Sequence, residues 1–265
     1  MRLVQPVRDD RGMPTLLVRP PSPRLADGEL THLDRVPVDA ELARRQWSGY
    51  LDAWRSLGWT PLEVAAADEQ PDGVFVEDAV VMFGEVAVLT SPGADSRRGE
   101  LGTVSAALGT TDLDVRRIEP PATLDGGDVL KVGTTVYVGR SARTNEHGIA
   151  ALAAIVEPLG FRVRPVPVTR RLHLKSAVTA LPDGTVIGWP PAVDDPDAFE
   201  AFLAVPEEHG SAVVVVDDTT VLMSAEAPRT AELLRGRGLT VVPVPISELE
   251  KLEGCVTCLS VRIRA

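Results

Sequence analysis

Cys255 and Cys258 are the only cysteines in the chain, and they stand three apart in Gly254-Cys255-Val256-Thr257-Cys258-Leu259-Ser260. That spacing serves a zinc cage, a redox dithiol or a single nucleophilic thiol. A zinc cage needs about four ligands, and no second CxxC exists. A redox dithiol wants its motif at the start of a helix, whereas Val261-Arg262-Ile263-Arg264 reads as a strand. A buried, inert cysteine is the plain alternative for either residue. His173, in His173-Leu174-Lys175-Ser176, leads into an expected hairpin. A lone histidine is usually structural, but beside a thiol and a carboxylate it is a candidate general acid and base.

Three acids flank an apolar opening in Asp72-Gly73-Val74-Phe75-Val76-Glu77-Asp78. Glu77 and Asp78 interrupt a buried-strand pattern, which is costly unless they are paired. Carboxylates grip a forked guanidinium through bidentate hydrogen bonds; turn-capping acids are the alternative. In Leu124-Asp125-Gly126-Gly127-Asp128 the double glycine permits close backbone approach, and Asp125 or Asp128 is suited to orient a histidine. A tight turn with Asx capping explains the same residues. Arg97, Arg98 and Arg143 each follow a hairpin and precede a helix, a place suited to holding a carboxylate or simply to facing solvent.

The elements that must position these residues repeat. Amphipathic helices run into Gly58, Gly109, Gly160 and Gly238, and the first two intervals are both 51 residues. Each glycine reads as a left-handed helix cap followed by a strand. Between them lie paired apolar runs with turn residues at Phe83-Gly84-Glu85, Gly133-Thr134, Pro182-Asp183-Gly184 and Asp217-Asp218. About five strand-strand-helix-strand units follow, the first assembled from both chain ends. Such units stack into a closed α/β ring that turns one edge of each toward a central channel; an open α/β sheet is the alternative. Arg19-Pro20-Pro21-Ser22-Pro23 reads as a loop, and 189–206 as a Pro/Asp-rich loop with a short helix.

Composition narrows the classes. The 265 residues are 44% hydrophobic and 25% charged, enough for a large core without disulfides or metals. A net charge of -11 argues against nucleic acid or an anionic membrane as partner. No run approaches a membrane span, and MRLVQPVRDDRGMP lacks a secretory leader. A reducing cytoplasm is expected.

FVED at 75–78, TSPGADSRR at 90–98, TLDGGDVL at 123–130, GRSARTNEHG at 139–148, HLKS at 173–176, LTVVPV and GCVTCLS recur in one order across nearly the whole chain. In that order they resemble the dimethylarginine dimethylaminohydrolases of the pentein, or guanidino-group modifying, superfamily. The resemblance implies one catalytic domain over 1–265, an α/β propeller of five ββαβ modules with pseudo-fivefold symmetry. It implies Cys258 as nucleophile, His173 as general acid and base, and Asp125 as the residue orienting that histidine. Asp72, Glu77 and Asp78 match the acids around the guanidinium, and Arg97 and Arg143 the pair that binds the amino-acid carboxylate. Leu30 matches a lid residue, with a register uncertain by one, and Leu252 a backbone contact. The implied substrate is a cationic small molecule, an Nω-methylated L-arginine, hydrolysed to citrulline and dimethylamine or methylamine through a Cys258 thiouronium. Neither metal nor organic cofactor is implied, and a monomer or homodimer is expected.

Arginine and agmatine deiminases carry Arg-Asp where Glu77-Asp78 stands, and Asp in place of Lys175. The resemblance assigns Cys255 nothing. An arginine deiminase-like hydrolase, a non-catalytic guanidinium binder and a zinc-regulated protein are the other readings.

Overall fold

The computed structural model describes residues 14–263. The opening segment 1–13, read as lacking a leader, lies outside them, as does Arg264 of the last expected strand. In chain order the elements are β1 (Thr15–Val18), α1 (Ala40–Ser56), β2 (Thr60–Glu63), β3 (Val80–Phe83), β4 (Val86–Leu89), α2 (Leu101–Leu108) and β5 (Asp114–Arg117). They continue with β6 (Val129–Val132), β7 (Thr135–Arg140), α3 (Glu146–Val156), β8 (Arg162–Pro167), α4 (Leu174–Ala177), β9 (Val178–Ala180), β10 (Val186–Gly188) and β11 (Phe202–Ala204). The last are β12 (Val213–Val215), β13 (Thr220–Ser224), α5 (Pro228–Gly236), β14 (Thr240–Val244), α6 (Ser247–Glu250) and β15 (Val261–Ile263).

These strands form five three-stranded sheets of one plan. Two strands run antiparallel, and a third joins parallel to the second, as in β3-β4-β5 with Val80 opposite Leu89 and Val86 opposite Asp114. The first module draws β15 from the C-terminal end onto β1, with Thr15 opposite Ile263. The inner strands VVMF and VAVL are buried at every position, which is why they read as continuous apolar runs. The third strands are edges. DVRR in β5 and RVRPVP in β8 are largely exposed, and their arginines and prolines discourage pairing with another chain.

Closure shows in the packing. Leu16 and Trp54 of the first module cluster with Leu222 and Val244 of the fifth. Leu17 and Ile263 cluster with Val80 and Leu89 of the second, and Val81 and Phe83 with Val136 and Leu152 of the third. Leu130 and Tyr137 meet Val178 and Val186 of the fourth, and Ile187 meets Val221 and Leu234 of the fifth. Five modules with five apolar junctions make a ring. The first strands β3, β6, β9, β12 and β15 line its central channel, a cavity of about 450 Å³.

The structure corrects three local readings. The fourth module has no α-helix before its third strand; residues 189–206 carry short 3-10 turns at Pro190–Ala192 and Pro196–Ala198, because prolines break any longer helix. Gly58, Gly160 and Gly238 have the expected positive φ, but Gly109 stays right-handed at φ -63. His173 leads first into the one-turn α4 and only then into β9. No described helix is long and apolar enough to cross a membrane.

The junction that closes the ring is the one to test. Leu222 is fully buried there, so Leu222→Ala is expected to destabilise the fold by about 2–5 kcal/mol, read as a lowered urea midpoint.

Candidate active site

The site forms where the turns that precede β3, β6, β9 and β15 converge. The FVED segment makes a 3-10 turn over Val76–Ala79, all four residues buried. Adjacent acids therefore face opposite ways. Glu77 points to the channel, where Lys175 Nζ sits 2.6 Å from Oε1 and Thr257 Oγ1 donates to Oε2 at 2.8 Å. Asp78 points the other way. Its Oδ1 accepts from Gly127 N–H at 2.9 Å, and its Oδ2 accepts from Arg97 Nη1. Burial works against that charge, yet His173 and Arg97 hold the Asp78 carboxyl down at about 2.

His173 is 3% exposed and ringed by acids. Its Nε2 lies 2.9 Å from Asp125 Oδ2, and its Nδ1 lies 3.7 Å from Asp78 Oδ1. Asp125 is steadied by Gly93 N–H on Oδ1. Asp128 stands behind, accepting from Leu174 N–H at 2.9 Å and from the Ser141 and Thr144 hydroxyls. Burial alone lowers a histidine, but Asp78, Asp125 and Asp128 together push His173 up to about 9. It is an imidazolium at neutral pH, with both nitrogens as donors. Asp78, Asp125 and His173 also have the composition of a metal site. The Arg97 guanidinium and backbone N–H groups already occupy those carboxylates, so a proton is the cation the cluster accommodates.

Cys258 ends a reverse turn begun at Cys255, closed by Cys258 N–H donating to Cys255 O at 3.1 Å. Tyr50 of α1 braces the turn through Val256 O and Ser260 Oγ. A strand follows, so the helix that a thioredoxin-like pair requires is missing. The neighbouring Cys255 thiol, burial and the Glu77 and Asp78 carboxylates all push the Cys258 thiol well above its ordinary value. The resting nucleophile candidate is a protonated thiol.

A small cavity of about 20 Å³ joins these groups; Asp72, Asp78, Arg97, Arg143, His173, Leu252 and Cys258 line it. Three of the expected site residues do not. Glu77 lines the channel with Lys175 and Thr257, while their neighbours Asp78, His173 and Cys258 line the pocket. Leu30 packs against the core beside Leu16 and Trp54, and Glu29 takes the lining place one residue earlier. Asp125 stands behind His173 rather than in the pocket wall. The two arginines also differ. Arg97 is spent on Glu100, Asp78 and the carbonyls of Asp72 and Phe75, whereas the Arg143 guanidinium, among the described residues, meets Glu29 Oε2 at 2.8 Å.

Glu29, Glu253, Arg19 and Glu100 went unread in the sequence. Glu253 Oε1 gathers the N–H groups of Thr31, His32 and Leu33, latching the loop that carries Glu29. Arg19, fully buried, bonds to Gly73 O, Glu100 O and Thr103 Oγ1. Only the Arg97-Glu100 spacing of three, usual for a helical ion pair, offered a signal.

No family model matches the chain. Among curated proteins, a dimethylarginine dimethylaminohydrolase from Streptomyces coelicolor is 57% identical over 248 residues, covering 94% of this chain and 96% of that one. This chain belongs to the dimethylarginine dimethylaminohydrolase family. A second relative so named, from Pseudomonas aeruginosa, is 34% identical over 93% of this chain and 98% of its own. A crystal structure of the Pseudomonas aeruginosa protein, a cysteine-to-serine mutant complexed with citrulline, superposes with a TM-score of 0.87 at 32% identity, over 95% of this chain and 99% of that one. The ring of five modules, four of them ββαβ and the fourth with 3-10 turns in place of the helix, is the pentein fold of this hydrolase family.

The double glycine leaves no room for a side chain beside the histidine. A Cβ on Gly127 would stand 2.6 Å from Asp78 Oδ1 and 2.7 Å from His173 Nδ1, closer than real Cβ atoms approach. Gly127→Ala is expected to displace His173 and lower kcat about 100-fold with circular dichroism unchanged, checked by steady-state kinetics.

Proposed function

We propose that the chain hydrolyses Nω-methylated L-arginine to L-citrulline and dimethylamine or methylamine, with Cys258 as nucleophile and His173 as acid and then base. The observation that carries the roles is one pocket lined by a thiol, a protonated histidine, the Asp72 and Asp78 carboxylates and two arginines. The Pseudomonas aeruginosa relative holding citrulline supports the product. The names of the relatives at 57% and 34% identity leave the arginine deiminase reading without support.

Asp72 and Asp78 face the guanidinium of the substrate, and Arg143 takes its carboxylate. Arg97 acts through Asp78, which it holds ionised. Glu77 serves as an inner support neutralised by Lys175, which accounts for a lysine where the deiminases have an acid. A guanidinium against Cys258 reverses the local electrostatics, and the thiol releases its proton to solvent as the cation binds, since His173 is already protonated. The thiolate attacks the guanidinium carbon. His173 hands its Nδ1 proton to the departing amine, keeping the Nε2 proton on Asp125, and leaves a thiouronium on Cys258. The neutral His173, held by Asp125, then takes a proton from water, whose oxygen attacks the same carbon, and the C–S bond breaks to free citrulline.

The pocket of about 20 Å³ holds one or two waters at ~10–15 Å³ each. Arginine entry therefore requires the Glu29 loop to swing out, and Glu29 to release Arg143. We place the activity in a reducing cytoplasm, which suits two free thiols.

With asymmetric dimethylarginine, equimolar citrulline and dimethylamine are expected. Cys258→Ser should lose at least ~10³-fold in kcat while still binding substrate by calorimetry. Undiminished citrulline from that variant, or ammonia as the released amine, contradicts the reading.

A further inference from the structure

Cys255 takes no part in the reaction above, yet its sulfur lies 3.3 Å from Cys258 Sγ. The two residues are the ends of one hydrogen-bonded turn. The end Cα atoms of such a turn lie within about 7 Å, and disulfides span about 4.4–6.8 Å between Cα atoms. An S–S bond of about 2.05 Å asks the sulfurs to close by little more than 1 Å, a side-chain rotation that leaves the turn intact.

The thiols differ in access. Cys258 is 5% exposed and faces the substrate pocket. Cys255 is half-buried and lines a separate cavity of about 70 Å³, with His209 and Glu250 in its wall. A small oxidant therefore meets Cys255 without entering the substrate pocket. The protonated Cys258 thiol alongside also holds Cys255 below its ordinary value, favouring the reactive thiolate.

We propose that Cys255 and Cys258 form an oxidative modification site, at which a hydroperoxide converts the pair to a disulfide and reversibly ties up Cys258. The Cys255 thiolate attacks one peroxide oxygen, the O–O bond breaks, and hydroxide leaves, giving a sulfenic acid on Cys255. Cys258 Sγ attacks Cys255 Sγ, the S–O bond breaks, and the Cys258 proton departs with the hydroxide as water. Two thiols lose two electrons to one peroxide, and two waters form. The disulfide stands on geometry alone; its silencing of turnover rests on Cys258 being the nucleophile.

The purified protein is treated with hydrogen peroxide, and mass spectrometry of the peptide over 252–262 is read beside turnover. The wild type is expected to lose two hydrogens from that peptide and its activity in parallel, and to regain both with dithiothreitol. Cys255→Ser and Cys255→Ala should keep basal activity and lose it to peroxide at least ~10-fold more slowly, since the remaining thiol is buried and reached only through the small substrate pocket. Two added oxygens on Cys258 without a cross-link, or variants inactivated at the wild-type rate, overturn the proposal. A disulfide with undiminished turnover upholds the site and sinks Cys258 as nucleophile.

Discussion

Charges of alternating sign run through the buried interior in one chain: Arg19, Glu100, Arg97, Asp78, His173 and Asp125, each within ion-pair distance of the next. All six are at most 5% exposed. Six such groups are tolerable in a low-dielectric core only as a set, because removing one strands its neighbours and costs about 3–5 kcal/mol. The ring supplies the set from separate modules. Arg19 follows β1, Asp78 precedes β3, Glu100 and Arg97 precede α2, Asp125 precedes β6, and His173 precedes β9. The turns before first strands and the segments after second strands are thus where the fold concentrates polar groups, and the apolar junctions between modules hold them in register.

The sign of charge at each end of this chain sets the chemistry. Acids on both sides keep His173 charged, so the site carries its leaving-group proton before any ligand arrives. Acids and a second thiol push the Cys258 thiol upward, so under the proposed mechanism it is quiet until a cation displaces that balance. A guanidinium brings such a charge, and a neutral amide or urea does not. Selectivity for cationic carbon and restraint toward other electrophiles come from the same carboxylates.

Much of the ring was legible because periodicity survives in the sequence: Gly58, Gly160 and Gly238 mark three helix ends, and the apolar runs before and after them are the inner strands. The fourth module hid its departure in a proline-rich stretch that reads as loop either way. Cys258, His173, Asp125, Asp78 and Arg143 stood out as candidates from their local sequence, each beside a plain structural alternative, whereas Leu252 was reached only through the family resemblance. Glu77 was legible as a buried acid but not as to direction. Neighbouring residues in a turn diverge, and only the position of Lys175 tells which carboxylate is neutralised. Leu30 and Glu29 differ by one residue in an irregular loop where no periodicity fixes register. Arg19 beside Pro20 looks like surface, and its burial is decided by residues more than 50 positions away.

The account stands on His173 being charged in the resting site, and a pH titration of its ring by ¹H–¹⁵N NMR in the ligand-free protein tests this directly. A pKa raised by the fold means the folded state holds the proton more tightly, so this stabilisation is present below about pH 6.5 and fades as pH rises through about 9. Both ring nitrogens should stay protonated at neutral pH, with the transition near pH 9 and moving downward in Asp125→Asn. A His173 ring already neutral at pH 7 would contradict the account.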